Sequence, residues 1–144
     1  MEPRELALRH ARGRQLVGAA FVLLPGLAGS AWIGPDARRR PVKVLARAFG
    51  ARDLAIGLGV VIALDRGAPV RGWIEAGVLS DAIDAAASLL AGSSIPAAIR
   101  WPCVALGAGS AALGARLAPQ FAEPPAPIPG ETPESALTGH PAQP

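Results

Sequence analysis

Six ionisable residues stand where the surrounding chain is apolar: Arg47, Arg52 and Asp53 in one segment, Glu75, Asp81 and Asp84 in the next. Side chains of these types can do three things inside an apolar layer. Paired, they form an ion-pair clasp, with Arg47 and Arg52 neutralising two of the four carboxylates. Unpaired, a carboxylate can trade a proton for a cation and so couple the movement of a small solute. Two neighbouring carboxylates can also share acid and base roles on a substrate. Asp81 and Asp84 are the candidates for the second and third roles. They share one helical face with Gly77 and Ser88 at spacings of i, i+4, i+7 and i+11. The DxxD spacing lacks a nucleophile–base pair, a metal-ligand set or a phosphate-binding Gly loop, so no catalytic or metal-ligating residue is assigned and no cofactor is expected. His10 and His140 lie in the flanks, and the single cysteine, Cys103, excludes an intramolecular disulfide.

These residues require an apolar scaffold, and the 144-residue chain supplies one. Its hydrophobic content is mostly Ala, Leu, Val and Gly, with few aromatics and no Tyr. Membrane helices accept many small residues because their backbones approach closely. The fold class expected is all-α, a membrane bundle of four transmembrane helices with a disordered Pro-rich tail. Residues 1–14 form a basic flank. Residues 15–117 form the transmembrane domain, with spans at about 15–33, 41–64, 72–92 and 95–117. Residues 118–144 are too rich in proline to propagate a helix or strand.

The first span, Gln15 to Ile33, is uncharged and close to the ~20 residues a bilayer crossing needs. Pro25 and Gly26 predict a kink within it. A signal sequence ending at Gly29-Ser30-Ala31 is the competing reading. Asp36 and Pro41 are placed to start the second helix, and Ser94 and Pro96 the fourth. The turn DRGAPVR, residues 65–71, makes the second and third spans antiparallel neighbours. At matched depth, Arg52 or Arg47 reaches Asp84. Arg52 and Asp53 diverge by about 100°, so one plausible geometry turns Asp53 toward another helix. Ala51, Ala55, Gly59 and Ala63 form one small-residue ridge, and Gly107, Ala111 and Ala115 another, both suited to close helix packing.

The stretch RAFGARDLAIGLG, followed by SDAIDA in the third span, resembles a family of small four-helix integral membrane proteins catalogued as a domain of unknown function. In that family a Gly-x-Arg-Asp element opens the second span; here it reads Gly50-Ala51-Arg52-Asp53. The resemblance covers roughly residues 15–117. It implies four transmembrane helices and carries no chemistry.

The expected partners are a lipid bilayer and either further copies of the chain or another membrane protein. No basic face with stacking aromatics is present, so nucleic acid is not a partner. The location expected is the cell membrane, with both termini cytoplasmic. The leading function is a structural or accessory subunit packing through its Ala/Gly faces. A proton- or cation-coupled small-solute carrier is the alternative, and a membrane enzyme acting on a lipid-like substrate is the third.

Overall fold

A computed structural model describes residues 2–122, and within them the chain is all-helical. Five helices run in order: α1 (Pro3–Leu23), α2 (Pro25–Ile33), α3 (Arg40–Arg66), α4 (Arg71–Leu90) and α5 (Ala97–Leu117). Short 3-10 turns, Pro35–Arg38, Gly92–Ser94 and Ala118–Phe121, fill the corners. The four long helices form an up-and-down bundle, with α2 folded across one end. The expected disordered tail falls largely outside the described residues. Its start does not: Ala118 is buried and Phe121 packs on the core, because the 3-10 turn folds back over Leu117.

The first helix is where the structure departs most from the expectation. Residues 3–14 of the expected basic flank are the first half of α1, and Ala7, Ala11 and Arg14 are buried. The apolar run 15–33 is not one span. Helix α1 stops at Leu23, and α2 leaves it at 113°. Leu24, at φ −124 and ψ 52, has left the helical region. A residue preceding proline is driven out of it, and Pro25 has no N–H to continue the ladder. Among the described residues no single helix is long and apolar enough to cross a membrane, and α1 and α2 reach that mark only as this bent pair. Arg14, Arg52, Asp53, Glu75, Asp81 and Asp84 interrupt the apolar runs.

Pro41 occupies the first turn of α3 and fits there. Neither Asp36 nor Ser94 caps a helix; Arg39 and Pro96 hold the cap positions of α3 and α5 without side-chain caps. Gly67 closes α3 in the left-handed region, at φ 63, which glycine adopts without a Cβ clash. The following turn sends α4 back antiparallel to α3, as its length requires.

The closest packing lies between α1 and α3 and between α4 and α5. A Cβ on Gly18 would meet the Gly50 carbonyl oxygen at 2.7 Å, and one on Gly50 would meet Phe21 Cβ at 2.8 Å. Gly57 lies equally close to Ala11 and Gln15. Gly107 sits against Ala85, and Gly114 against Val78. The predicted ridges are only partly used. Gly59 and Ala63 are buried, with the Trp73 ring seated on Gly59, and Gly107 is buried. Ala51, Ala55 and Ala115 face outward, and Ala111 is half-buried. The first half of the α3 ridge faces outward because the face packed against α1 is set by Gly50, Asp53 and Gly57, about 100° round from Ala51.

Along the bundle the interior is layered. Ala11, Val60, Ala63, Val70, Ile74 and Leu117 form an apolar plug at the end holding the α3–α4 turn. At the other end Phe21, Trp32 and Phe49 cluster, with ring centroids 4.7 to 6.1 Å apart. Between these layers lies a band of charge.

Candidate functional site

Each charged member of this band sits near the middle of its helix, on the inward face. Arg14 of α1 is the centre. Its Nη1 donates to Asp53 Oδ1 of α3 at 2.8 Å, and its Nη2 donates to Asp81 Oδ2 of α4. Nη2 also points at the Gly77 carbonyl at 3.4 Å, where the absence of a side chain leaves room for the guanidinium. Arg14 retains 6% of its side-chain exposure, against 35% for Arg52.

Arg52 of α3 grips Asp84 of α4 with two parallel bonds, 2.6 and 3.2 Å long. Such fork-to-fork pairs add direction as well as strength. Arg52 Nη2 also reaches Asp53 Oδ1 at 3.4 Å, so Asp53 joins the two guanidiniums. The Arg52 guanidinium lies 4.5 Å from the Phe49 ring centroid, which ties the charged band to the aromatic layer.

A polar arm extends to α5. Ser110 Oγ donates to Asp81 Oδ2 at 2.5 Å. Its hydrogen is thereby committed, so the 2.8 Å contact with His10 Nε2 requires the imidazole N–H to donate to Ser110. Ser, His and Asp meet here, but not in the order that makes a nucleophile. A hydrolytic triad has serine donating to histidine and histidine to the carboxylate. Here serine donates to a carboxylate already held by Arg14.

The predicted residues divide clearly. Arg52, Asp53, Asp81 and Asp84 come together, Arg52 with Asp84 and Asp53 with a different helix. Arg47 and Glu75 do not join them. Arg47 is exposed one to two turns before Arg52 on α3, and Glu75 pairs on the surface with Arg71 at 2.6 Å. Their positions on the helical wheel turn them outward. His10, Arg14 and Ser110 join the band although their local sequence places the first two in the basic flank and the third within an apolar helix. A spacing signal was present for Arg14: Ala7, Ala11, Arg14, Gly18 and Phe21 recur at alternating steps of four and three, the mark of one buried helix face.

A cavity of about 430 Å³ opens beside the band, between α1 and α5. His10, Arg14, Asp53, Asp81, Asp84 and Ser110 supply its polar side, and Val17, Leu106 and Leu113 are among its apolar walls. A second cavity, of about 230 Å³, lies under α2, lined by Phe21, Ile33, Val42 and Leu45 among others. Trp32, Phe49 and Asp84 line both. No three His, Cys, Asp or Glu side chains among the described residues are arranged to hold a metal ion. No protein-family model matches this chain, nor does any curated protein or solved structure.

Proposed function

We propose that this chain is a multi-pass membrane protein that carries a small solute coupled to a proton or another cation, with Asp81 and Asp84 as its exchanging carboxylates. The membrane part rests on an inverted distribution of polarity. Arg14, Asp53 and Asp81 are buried, while Leu16, Leu27, Leu45, Leu79 and Leu90 are exposed. Charge inside and leucine outside suits a lipid surround and opposes the ordinary sorting in water. At 1.5 Å per residue, α1, α4 and α5 each run about 30 Å, the thickness of a hydrocarbon core. In this reading α2 packs across one end rather than completing a span.

One observation carries the carrier reading. Three carboxylates of the cavity wall, Asp53, Asp81 and Asp84, are held by two guanidiniums, Arg14 in the wall and Arg52 outside it, leaving one negative charge in excess when all are ionised. A clasp needs no cavity beside it, and here the excess charge falls on the carboxylates of the cavity wall. A proton or a cationic solute supplies the missing charge. Among the described residues the other titratable group facing the band is His10 on α1, and α5 adds the hydroxyl of Ser110.

The test is reconstitution of the full chain in liposomes with an entrapped pH dye. Proton flux is followed under an imposed pH gradient while candidate solutes and inorganic cations are added. Wild-type protein should show a saturable, solute-dependent flux. Asp81→Asn and Asp84→Asn should lose it while eluting as wild type in detergent. Equal traces for wild type, variants and empty liposomes with every solute would reject the reading.

The accessory-subunit reading keeps one specific support, the outward-facing Ala51 and Ala55 on α3 and Ala115 on α5, where a partner helix could pack closely. A stoichiometric foreign chain co-purifying in mild detergent would favour it over the carrier.

A further inference from the structure

We infer that the corner shared by the two cavities is a recognition site for a planar organic monocation of the guanidinium or amidinium class, and that Arg52 is the built-in cation such a ligand displaces from Asp84. The inference names the solute class for the carrier reading and rests on the same cavity. Asp84, Trp32 and Phe49 are the residues common to both cavities, so a molecule in either meets the same carboxylate and the same two rings. A carboxylate beside aromatic faces is the chemistry that recognises an organic cation, through a charge-assisted hydrogen bond and a cation–π contact.

The protein already places such a cation there. The Arg52 guanidinium holds both oxygens of Asp84 and lies against the face of Phe49. That arrangement is a template for the ligand: a planar fork of N–H donors on one side and a π face on the other. Arg52 also differs from Arg14 in how firmly it is held. Arg14 is enclosed between two carboxylates and a carbonyl, whereas Arg52 keeps about a third of its side-chain exposure and its buried Nε finds no hydrogen-bond partner among the described residues. Arg52 can therefore swing aside, with room in the 430 Å³ cavity for what replaces it.

Other ligand classes fit less well. An anion meets the excess of carboxylates. A bare metal ion wants several oxygen ligands converging on one point. Here each carboxylate already carries a guanidinium, and apart from His10 and Ser110 the remaining walls are apolar or aromatic. A ring or short chain attached to the cation would lie against Trp32, Val17 and Leu106.

The probe is phenylguanidinium, with phenylurea as its neutral isostere, titrated calorimetrically into the full chain in detergent. Wild-type protein should bind the cation saturably and ignore the urea. Asp84→Asn should weaken binding by about ten-fold or more, the scale of one charge-assisted pair. Phe49→Leu should weaken it less. Arg52→Ala should bind more tightly than wild type, because its own competitor is gone, and phenylguanidinium should raise its Tm more than it raises that of the wild type. A merely structural Arg52 predicts the reverse, a loss of binding. Equal binding of phenylurea, an unchanged Asp84→Asn affinity in folded protein, or weaker binding by a folded Arg52→Ala would each overturn the assignment. Solute-coupled flux that depends on Asp81, without phenylguanidinium binding, would remove the ligand class and leave the carrier. Binding without any flux would remove the carrier and leave the site.

Discussion

Two carboxylates on different helices converge on Arg14, so removing its guanidinium strands both Asp53 and Asp81 in a buried layer. Arg14→Gln should lower stability by about 3–5 kcal/mol, the penalty for breaking a buried pair from one side. Arg47→Gln, on the exposed face of α3, should stay within about 0.5 kcal/mol. Thermal unfolding followed by fluorescence-detected size exclusion separates the two, and equal melting would show that Arg14 is not the keystone of the band. A second residue-level prediction concerns Arg52 and Asp84. Arg52→Asp and Asp84→Arg should each destabilise, and the double swap should recover much of the loss, since the fork can form in reverse. Depth matching along an antiparallel pair made the Arg52–Asp84 contact legible in the sequence. Arg14 was hidden by its neighbours. It adjoins Arg4, Arg9 and Arg12, three exposed residues on other faces, and borders the uncharged run, so it reads as the last residue of a flank. His10 and Ser110 were illegible for a different reason. Their link to Asp81 spans helices far apart in the chain, and no local spacing announces it.

At the scale of elements, the bundle depends on two tight crossings, and glycine sets the distance in both. Gly50 faces the Gly18 carbonyl, Phe21 Cβ and the Val22 backbone nitrogen, all within 2.9 Å of a Cβ placed on it. Gly50→Val should push α1 from α3 and cost about 1–3 kcal/mol, the usual range for overpacking. Ala51→Val, one residue on but facing outward, should be nearly neutral in the same melting assay. If Ala51→Val is the more harmful, the outer face of α3 is covered by a partner, and the accessory-subunit reading gains. The break at Leu24–Pro25 marks the limit of reading helices by hydropathy. Gln15 to Ile33 has the composition of one span, and proline within a membrane helix is often tolerated as a kink. What decides between a kink and a full turn is tertiary. Folding α2 back brings Trp32 onto Phe21 and Phe49 and lets Ala37 fill the hollow beside Gly29. Those contacts are made by residues that periodicity alone does not relate.

For the whole molecule, hydropathy read along single helices and the polarity of the surface point in opposite directions, and the placement of charge explains why. A hydropathy window counts Asp53, Asp81 and Asp84 against membrane insertion wherever they point. In the folded bundle they face one another and the guanidiniums, and the outside of α4 presents Leu79, Ile83 and Leu90. The first and last helical residues, Pro3 and Phe121, lie at the end of the bundle that holds the α3–α4 turn. Under the membrane reading they share one side, and Arg4, Arg9 and Arg12 on the first helix predict the cytoplasm for it. A fluorescent protein fused at the C-terminus should glow, and a phosphatase that is active only outside the cytoplasm should stay silent there. The sharper test is a single charge on the outer face. Leu79, near the middle of α4, is 63% exposed. Leu79→Arg places an unpaired guanidinium in lipid if the bundle spans a bilayer, at a cost of about 2.5–3.5 kcal/mol on insertion scales. In water the same change replaces an exposed leucine with a solvated side chain and should raise solubility or leave it unchanged. Carbonate-resistant membrane recovery of wild type and Leu79→Arg decides between these surroundings. Stable membrane wild type with depleted variant supports the bilayer reading. A chain found in the soluble fraction, with Leu79→Arg expressed at least as well, would overturn the membrane reading and the membrane carrier with it, while leaving the charged band and its two cavities for a bundle that works in water.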